Sequence, residues 1–374
     1  MITKYIVILL LFLSSFSVYA DSSPVRRPDG EKWRIGYFES GDYPDYSLIL
    51  SQIIRGMMNK GWVQKKTFSD KNFKTHAEFW KWICTNIKSE YVQFVPDAYY
   101  SSCFDPEKRI AAKKSLGQRI KTKKDLNLII AMGTWAGQDM ADKNMNVPTI
   151  VASTSDPIGS KIIKSATDSG FAHLHAKVEP DRYRKQVELF HSLTGFRKLG
   201  FIMEDSEEGR TYSAYNDIAA LSKKLKFRMI ICQAPFSGIS QEQAEQNALS
   251  CYSKLVRQAD AVYVTVHRGI TDDNISKLVD ILIKAKKPSF SQRGENEVAA
   301  GILMSVSQAG FSHAGAFHAD VIAQIFHGKK PGSIPMIWNA PALIALNIAT
   351  AEKIRWNPPF EILKAADRLY DSIK

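Results

Sequence analysis

Residues 125–160 read DLNLIIAMGTWAGQDMADKNMNVPTIVASTSDPIGS. Leu126–Met132, apolar except at Asn127, is a run of the length a strand covered on both faces requires. Gly133-Thr134-Trp135 turns the chain at its carboxyl end, and a helix is expected over Ala136–Lys143. Pro148 opens a second apolar run, Thr149–Ala152, which ends in Ser153-Thr154-Ser155-Asp156-Pro157. Two neighbouring parallel strands would thus deliver polar turns to one edge of a sheet. Helix N-termini and free backbone N–H groups face small molecules at that edge. The expectation is a small-molecule binding protein with no chemistry of its own.

The first twenty residues have the form of a cleaved signal peptide. Lys4 supplies the basic start, Tyr5–Phe16 the apolar core and Val18-Tyr19-Ala20 the small-x-small site before Asp21. The residue directly after that site is Asp21, not cysteine, and no later segment is apolar enough to span a bilayer, so the expected product is a periplasmic protein without a lipid anchor. A chain of 374 residues has room for two domains, and 45% hydrophobic with 24% charged residues is ordinary for globular proteins. The net charge of +12 raises nucleic acid as a partner. Its lysines, however, lie scattered along helices, as in Lys223-Lys224-Leu225-Lys226, with no basic stripe interleaved with aromatics. They read as solvated faces, and no nucleic acid is expected.

Four cysteines in an exported chain favour disulfides. Cys84 with Cys103, and Cys232 with Cys251, would each close a short loop worth about 3 kcal/mol in the chain-entropy model. Three connectivities remain open at this level. No C-x-x-C pair exists and His173-Leu174-His175 has no evident third ligand, so neither metal nor cofactor is expected.

In chain order, Trp33–Phe38 reads as a strand, Leu48–Lys60 as a helix and Trp62–Thr67 as the second strand. Residues 68–124, rich in aromatics, exceed what one crossover needs and read as a helical insertion. Phe171–Val178 is a strand and Glu179–Leu193 a helix, with the chain crossing between lobes there. The alternation then restarts. Strands are expected at Lys198–Met203, Phe227–Gln233, Ala261–Val266, Pro288–Ser291, Ile302–Val306 and Ala342–Asn347. Helices are expected at Tyr212–Leu225, Gln241–Gln258, Asp272–Ala285, Phe311–His327 and Pro359–Ile373. The fold class is α/β, two doubly wound Rossmann-like lobes joined by a hinge. The first lobe takes residues 31–172 and 302–332, and the second 173–301 and 333–374.

With both halves laid out, the chain resembles the substrate-binding components of ABC importers, of the type I periplasmic-binding-protein fold. It is most similar to the branch that includes tryptophan/tyrosine-type amino-acid binders. The residues that carry this are Gly133-Thr134, Val147-Pro148-Thr149-Ile150-Val151, Ser155-Asp156-Pro157-Ile158-Gly159 and Gly209-Arg210-Thr211-Tyr212-Ser213. Ala259-Asp260-Ala261-Val262-Tyr263, Lys287-Pro288-Ser289-Phe290-Ser291 and Gly328-Lys329-Lys330-Pro331 complete the pattern. The resemblance implies a monomer whose lobes close on a small solute, an amino acid or small carboxylate, and which docks on an ABC permease in the inner membrane.

Carried onto this chain, the resemblance places ligand contacts at Glu39, Ser40, Gly133, Thr134, Trp135, Ser155 and Asp156 in the first lobe. In the second it places them at Ser206, Tyr212, Ser213, Thr265 and His267, with Gln292 and Arg293 near the hinge. Helix N-termini after Thr134 and Arg210 are suited to a carboxylate. Two positions depart from the branch. His267-Arg268 stands where Asp-Asn is usual, and Gln292-Arg293 where an acidic residue is usual. An α-ammonium group prefers carboxylates, so these departures favour a ligand with more negative charge.

The alternatives are weaker. A hydrolase would need a G-x-S-x-G elbow, and the chain has none; an ATPase would need G-x-x-x-x-G-K-[ST], which is also missing. The closest rival is a ligand-sensing protein that docks on a membrane receptor kinase, a role built from the same lobes.

Overall fold

The computed structural model describes residues 22–308, 310–339 and 342–374. The expected signal peptide, residues 1–20, lies outside the described residues. Among those described, twelve strands form two sheets. The first contains β1 (Trp33–Glu39), β2 (Val92–Ser101), β3 (Leu128–Met132), β4 (Thr149–Ala152) and β5 (Leu174–Ala176). All neighbours are parallel, in the order β2-β1-β3-β4-β5.

The second sheet contains β6 (Lys198–Met203), β7 (Arg228–Gln233), β8 (Ala261–Val264), β9 (Ser289–Ser291), β10 (Met304–Gln308), β11 (Ala342–Asn347) and β12 (Arg368–Tyr370). Its order is β12-β11-β10-β9-β8-β6-β7, with β11 antiparallel to β10. Read from β7 to β10, it repeats the 2-1-3-4-5 order of the first sheet. Each lobe therefore reverses its winding beside its first strand, between β1 and β3 and between β6 and β8. That reversal leaves a crevice at the strands' carboxyl ends.

Strand pairing assigns two segments. β5, expected to open the second lobe, pairs with β4 in the first sheet, and β10, expected with the first lobe, pairs with β9 in the second. The chain returns to the first lobe as the helix Gly310–Phe326, which packs along the helix Pro44–Asn59. The crossing segments meet where Val178 N–H donates to Met336 O at 2.8 Å and Trp338 N–H to Val178 O at 2.8 Å.

The second strand is not Trp62–Thr67. Trp62 is a core anchor: its ring lies 5.2 Å from Phe326 and its indole N–H donates to Ser22 O at 3.0 Å. The partner of β1 is β2, inside the stretch read as a helical insertion. Pro96 disguises it, since proline breaks a strand pattern, but β2 is a sheet edge and the pairing shifts register between Ile35 and Tyr37. The segment thus supplies a strand flanked by the helices His76–Asn86 and Pro106–Thr122.

The tail also differs. Instead of one helix over Pro359–Ile373, a short helix Phe360–Ala365 is followed by β12. Asp367 pins that turn to β11: its N–H donates to Ile344 O at 2.9 Å and its carboxylate accepts from Ile344 N–H at 2.8 Å. The helix expected over Tyr212–Leu225 is broken at Ala214, whose φ of 57° ends Glu207–Tyr212 before Tyr215–Leu225 begins.

One expected disulfide forms and the other does not. Cys232 on β7 is bonded to Cys251 on the helix Gln241–Leu255, with Cα atoms 5.5 Å apart. Cys84 and Cys103 are free thiols. The helix His76–Asn86 begins beside Glu39, at the level of Ser102 and Cys103, and runs away from it. Eight residues later Cys84 is about 12 Å down the axis, beyond the ~7 Å a disulfide tolerates. Replacing Cys232 and Cys251 by alanine should lower unfolding stability by about 3 kcal/mol. The same change at Cys84 and Cys103 should move it by less than about 1 kcal/mol. Paired urea titrations of the two double variants check both values.

Candidate functional site

The crevices of the two sheets face each other and line a cleft cavity of about 200 Å³. From the first lobe its wall includes Tyr43, Asp45 and Tyr46, which follow β1, Thr134 after β3, and Ser153, Thr154 and Ser155 after β4. The second lobe contributes Tyr212, Phe236, Val266, His267, Arg268 and Arg293. Lys177, Glu179, Trp338 and His318 close the hinge end, joined by Arg182 from the first turn of the helix Arg182–Thr194.

The lobes touch across this cavity. Arg293 pairs with Asp45 of the first lobe at 2.5 Å and with Glu297 at 3.2 Å. Gly238 N–H donates to Phe104 O at 2.9 Å, and the Arg268 guanidinium lies 5.5 Å from the Phe104 ring centre. Tyr183 donates to Ser155 O at 3.1 Å and Ser160 to the Thr211 hydroxyl at 3.3 Å. Aromatic rings make up much of the remaining wall: Tyr43 and Tyr46 meet edge to face at 5.4 Å, and Phe236 stands 5.9 Å from Tyr212.

Of the fourteen residues expected to contact ligand, Thr134, Ser155, Tyr212, His267 and Arg293 lie on the cavity wall. The rest hold the turns behind it. Ser40 accepts from Ala136 N–H and donates to Met132 O, both at 3.3 Å, clamping the start of the helix Thr134–Met140. Gly133 takes φ 87°, and a Cβ there would fall 1.8 Å from Tyr46 Oη. Trp135 packs between the Phe104 ring at 6.2 Å and the Arg109 guanidinium at 4.9 Å. Asp156 accepts from the N–H groups of Ile158 and Gly159, and Ser206 caps Glu207–Tyr212 through Gly209 N–H at 2.9 Å. That helix begins before Arg210 and the next begins at Tyr215, so no helix starts directly after Arg210.

Ser213, Thr265 and Gln292 are buried and satisfied. Ser213 donates to Arg210 O at 3.3 Å and Thr265 to Ile202 O at 2.8 Å. Gln292 accepts from Val266 N–H at 2.7 Å and donates to Tyr212 O at 2.8 Å, so one amide positions two wall residues. His267 is structural even though it faces the cavity. Its Nδ1 accepts from Gly269 N–H at 2.9 Å, which leaves Nε2 as the donor to Ala234 O at 2.8 Å. Burial pushes its pKa down to about 4, so the ring is neutral.

Glu39 has a different task. It is buried, accepts from Tyr99 Oη at 2.7 Å and pairs with His76 Nδ1 at 2.7 Å, while His76 Nε2 reaches Asp42 at 3.1 Å. Burial alone would lower the His76 pKa, but the hydrogen bond and charge of Glu39, with Asp42, raise it above its ordinary value. Stability from this pair is complete below about pH 6.5 and is lost as pH rises through the folded-state value. Neutral His267 acts in the opposite sense, its contribution lost as pH falls from about 6.5 toward 4. The melting temperature should therefore peak near neutrality. His76→Gln should flatten the alkaline side only, which calorimetry from pH 5 to about 9 would reveal.

Several wall residues carried a local signal that went unused. Tyr43, Asp45 and Tyr46 lie directly after Glu39-Ser40, and Lys177 and Glu179 alternate on one face of a crossing segment. His318 and Trp338 had none, since each reaches the cavity only through tertiary packing.

The family described as ABC transporter substrate binding protein matches residues 99–369 of this chain. No curated protein matches it in sequence. In structure the chain is similar to a Streptococcus pneumonia ABC domain in complex with L-Trp, with 19% identity, 91% of this chain and 100% of that one covered, and a TM-score of 0.68. It is also similar to a conserved domain protein from Vibrio cholerae, with 16% identity, the same coverage of both chains and a TM-score of 0.68. A ligand-free, open substrate binding protein with adhesive properties from Clostridium difficile aligns at 14% identity over 91% of this chain and 100% of that one, with a TM-score of 0.56. At these identities the structural likenesses establish the fold, a type I periplasmic-binding-protein architecture.

Proposed function

The chain belongs to the ABC transporter substrate-binding protein family, and from that premise we propose that it captures an amino acid or small carboxylate between its lobes and delivers it to an ABC importer. The family and fold are those of solute-binding proteins, which are not enzymes. Such proteins work outside the cytoplasm, and no helix among the described residues is long and apolar enough to cross a membrane. Export to the periplasm through a cleaved signal peptide completes the reading.

The observation that carries it is the cleft cavity lined from both lobes at the carboxyl ends of their strands. Its size suits a single small solute. Its aromatic wall fits an apolar body, and the Streptococcus pneumonia relative is described with L-Trp bound. A ligand that binds only the folded protein stabilises it by about 2.7 kcal/mol at a hundredfold excess over Kd. A thermal-shift screen of amino acids, small carboxylates and short peptides should therefore yield at least one compound that raises the melting temperature and is recovered unchanged. A screen in which nothing shifts the transition, or in which a compound is turned over, would overturn the proposal.

A further inference from the structure

Lys177 is the one lysine on the cavity wall among the described residues. It stands on the crossing segment at the hinge end, its side chain 13% exposed and its amine 4.2 Å from the Trp338 ring centre. One Glu179 oxygen accepts from that amine, and this contact and the indole ring both favour the ammonium form. Two effects oppose them. Burial penalises the charge, and the Arg182 guanidinium, 3.3 Å from the other Glu179 oxygen, offsets that carboxylate and repels a second cation. These prevail and hold the Lys177 pKa well below the ordinary lysine value, so the side chain presents a free amine to the cavity.

Around that amine the buried polar atoms without hydrogen-bond partners are of both kinds. Arg182 Nε and the Thr154 hydroxyl can donate, and Glu179 Oε2 can accept. His318, on the helix Gly310–Phe326, lines the cavity at 0% exposure with neither ring nitrogen partnered. Burial, with Lys177 and His175 nearby, keeps the ring neutral, so it offers one N–H and one bare nitrogen. Glu179 and Arg182 offset one another, and with Lys177 uncharged the hinge end carries no net charge. A free amine beside groups that give and take protons is what addition to a carbonyl group requires. The amine nitrogen forms the C–N bond with its lone pair and gives up two protons, and the carbonyl oxygen leaves with them as water. Nothing is oxidised or reduced.

We propose that Lys177 captures small uncharged aldehydes as a reversible imine, with the apolar body of the aldehyde against the aromatic wall of Tyr43, Tyr46, Tyr212 and Phe236. An aldehyde brings no charge to the balanced pair of Glu179 and Arg182, and its carbon is open to attack from one side chain. This is a further binding activity of the same cavity and goes beyond the solute-binding reading. It is capture without turnover, because water adds back to the imine and releases the aldehyde unchanged.

Incubating the wild-type protein with hydrocinnamaldehyde and sodium cyanoborohydride at neutral pH, then mapping peptides by mass spectrometry, tests it. The hydride converts an imine into a stable secondary amine, so the modified lysine is read directly. Lys177 should be labelled at least roughly tenfold faster than any other lysine, because a lower pKa leaves more free amine near neutrality. Arg182→Met leaves Glu179 to Lys177 alone and should slow that labelling at least roughly tenfold, with surface lysines unaffected. Calorimetric melting shows whether this variant folds, and if it does not, the wild-type map decides alone. Lys177 labelled no faster than exposed lysines, or at an unchanged rate in folded Arg182→Met, overturns the proposal. The solute-binding reading is judged separately by the thermal-shift screen and survives an unlabelled Lys177.

Discussion

Replacing Arg293 by methionine is expected to destabilise the protein by about 3–5 kcal/mol, the cost of breaking a buried ion pair from one side. Asp45 lies on the first lobe, Arg293 and Glu297 on the second, and the Arg293 side chain is 11% exposed. Without the guanidinium, two carboxylates remain in the same enclosed space with no counter-charge. They can regain water only if the lobes separate. The variant should therefore show a lower denaturation midpoint and a larger radius of gyration by small-angle scattering. Asp45→Asn, made from the opposite lobe, should act in the same direction, and the double variant should cost less than the two single ones summed. A wild-type midpoint and radius in both single variants would refute the latch. Because Arg293 also lines the cavity, weakened ligand binding in this variant reports lobe closure as well as contact.

Gly133→Ala should be comparably severe, about 3 kcal/mol or more, for a steric reason rather than an electrostatic one. Its φ of 87° lies in the region L residues rarely adopt, and the added Cβ would fall 1.8 Å from Tyr46 Oη and 2.6 Å from Ser40 Oγ. Tyr46 and Thr134 are both on the cavity wall, so the displaced tyrosine and helix start would abolish solute binding along with stability. Gly195→Ala gives the cost of a milder positive-φ position, left-handed helical at ψ 26° where Gly133 has ψ 175°. It has φ 61° with nothing within 4 Å of the new methyl group, and should cost only the backbone part, about 1–2 kcal/mol. Equal losses at both positions in urea titrations would mean that neither the contact with Tyr46 nor the more restricted backbone of Gly133 contributes.

The fold was legible because most strands of both sheets are parallel and buried, with apolar runs that are local and bounded by turns. Thr149–Ala152, Lys198–Met203 and Ala342–Asn347 fall where their residues predict them. The failures share a cause. β2 contains Pro96 and half-exposed positions because it is an edge, and β12 is held by Asp367 to a strand more than twenty residues earlier. Neither circumstance is written in its own residues. The free thiols repeat the lesson: nineteen residues separate both cysteine pairs, but only one helix brings its cysteine back to the strand it left.

For the site, the residues themselves determined the turns, because glycine, serine and short polar runs after apolar strands have few other uses. Which turn residues reach the cavity was decided only in three dimensions. Trp135 and Gln292 turn away to hold neighbouring segments, while His318 and Trp338 arrive from elements with no local mark of function. Sequence records which groups a segment carries. Which of them are left without a partner, and so available to a ligand, depends on what the other lobe and the crossing segments bring against them, and that is settled by packing alone.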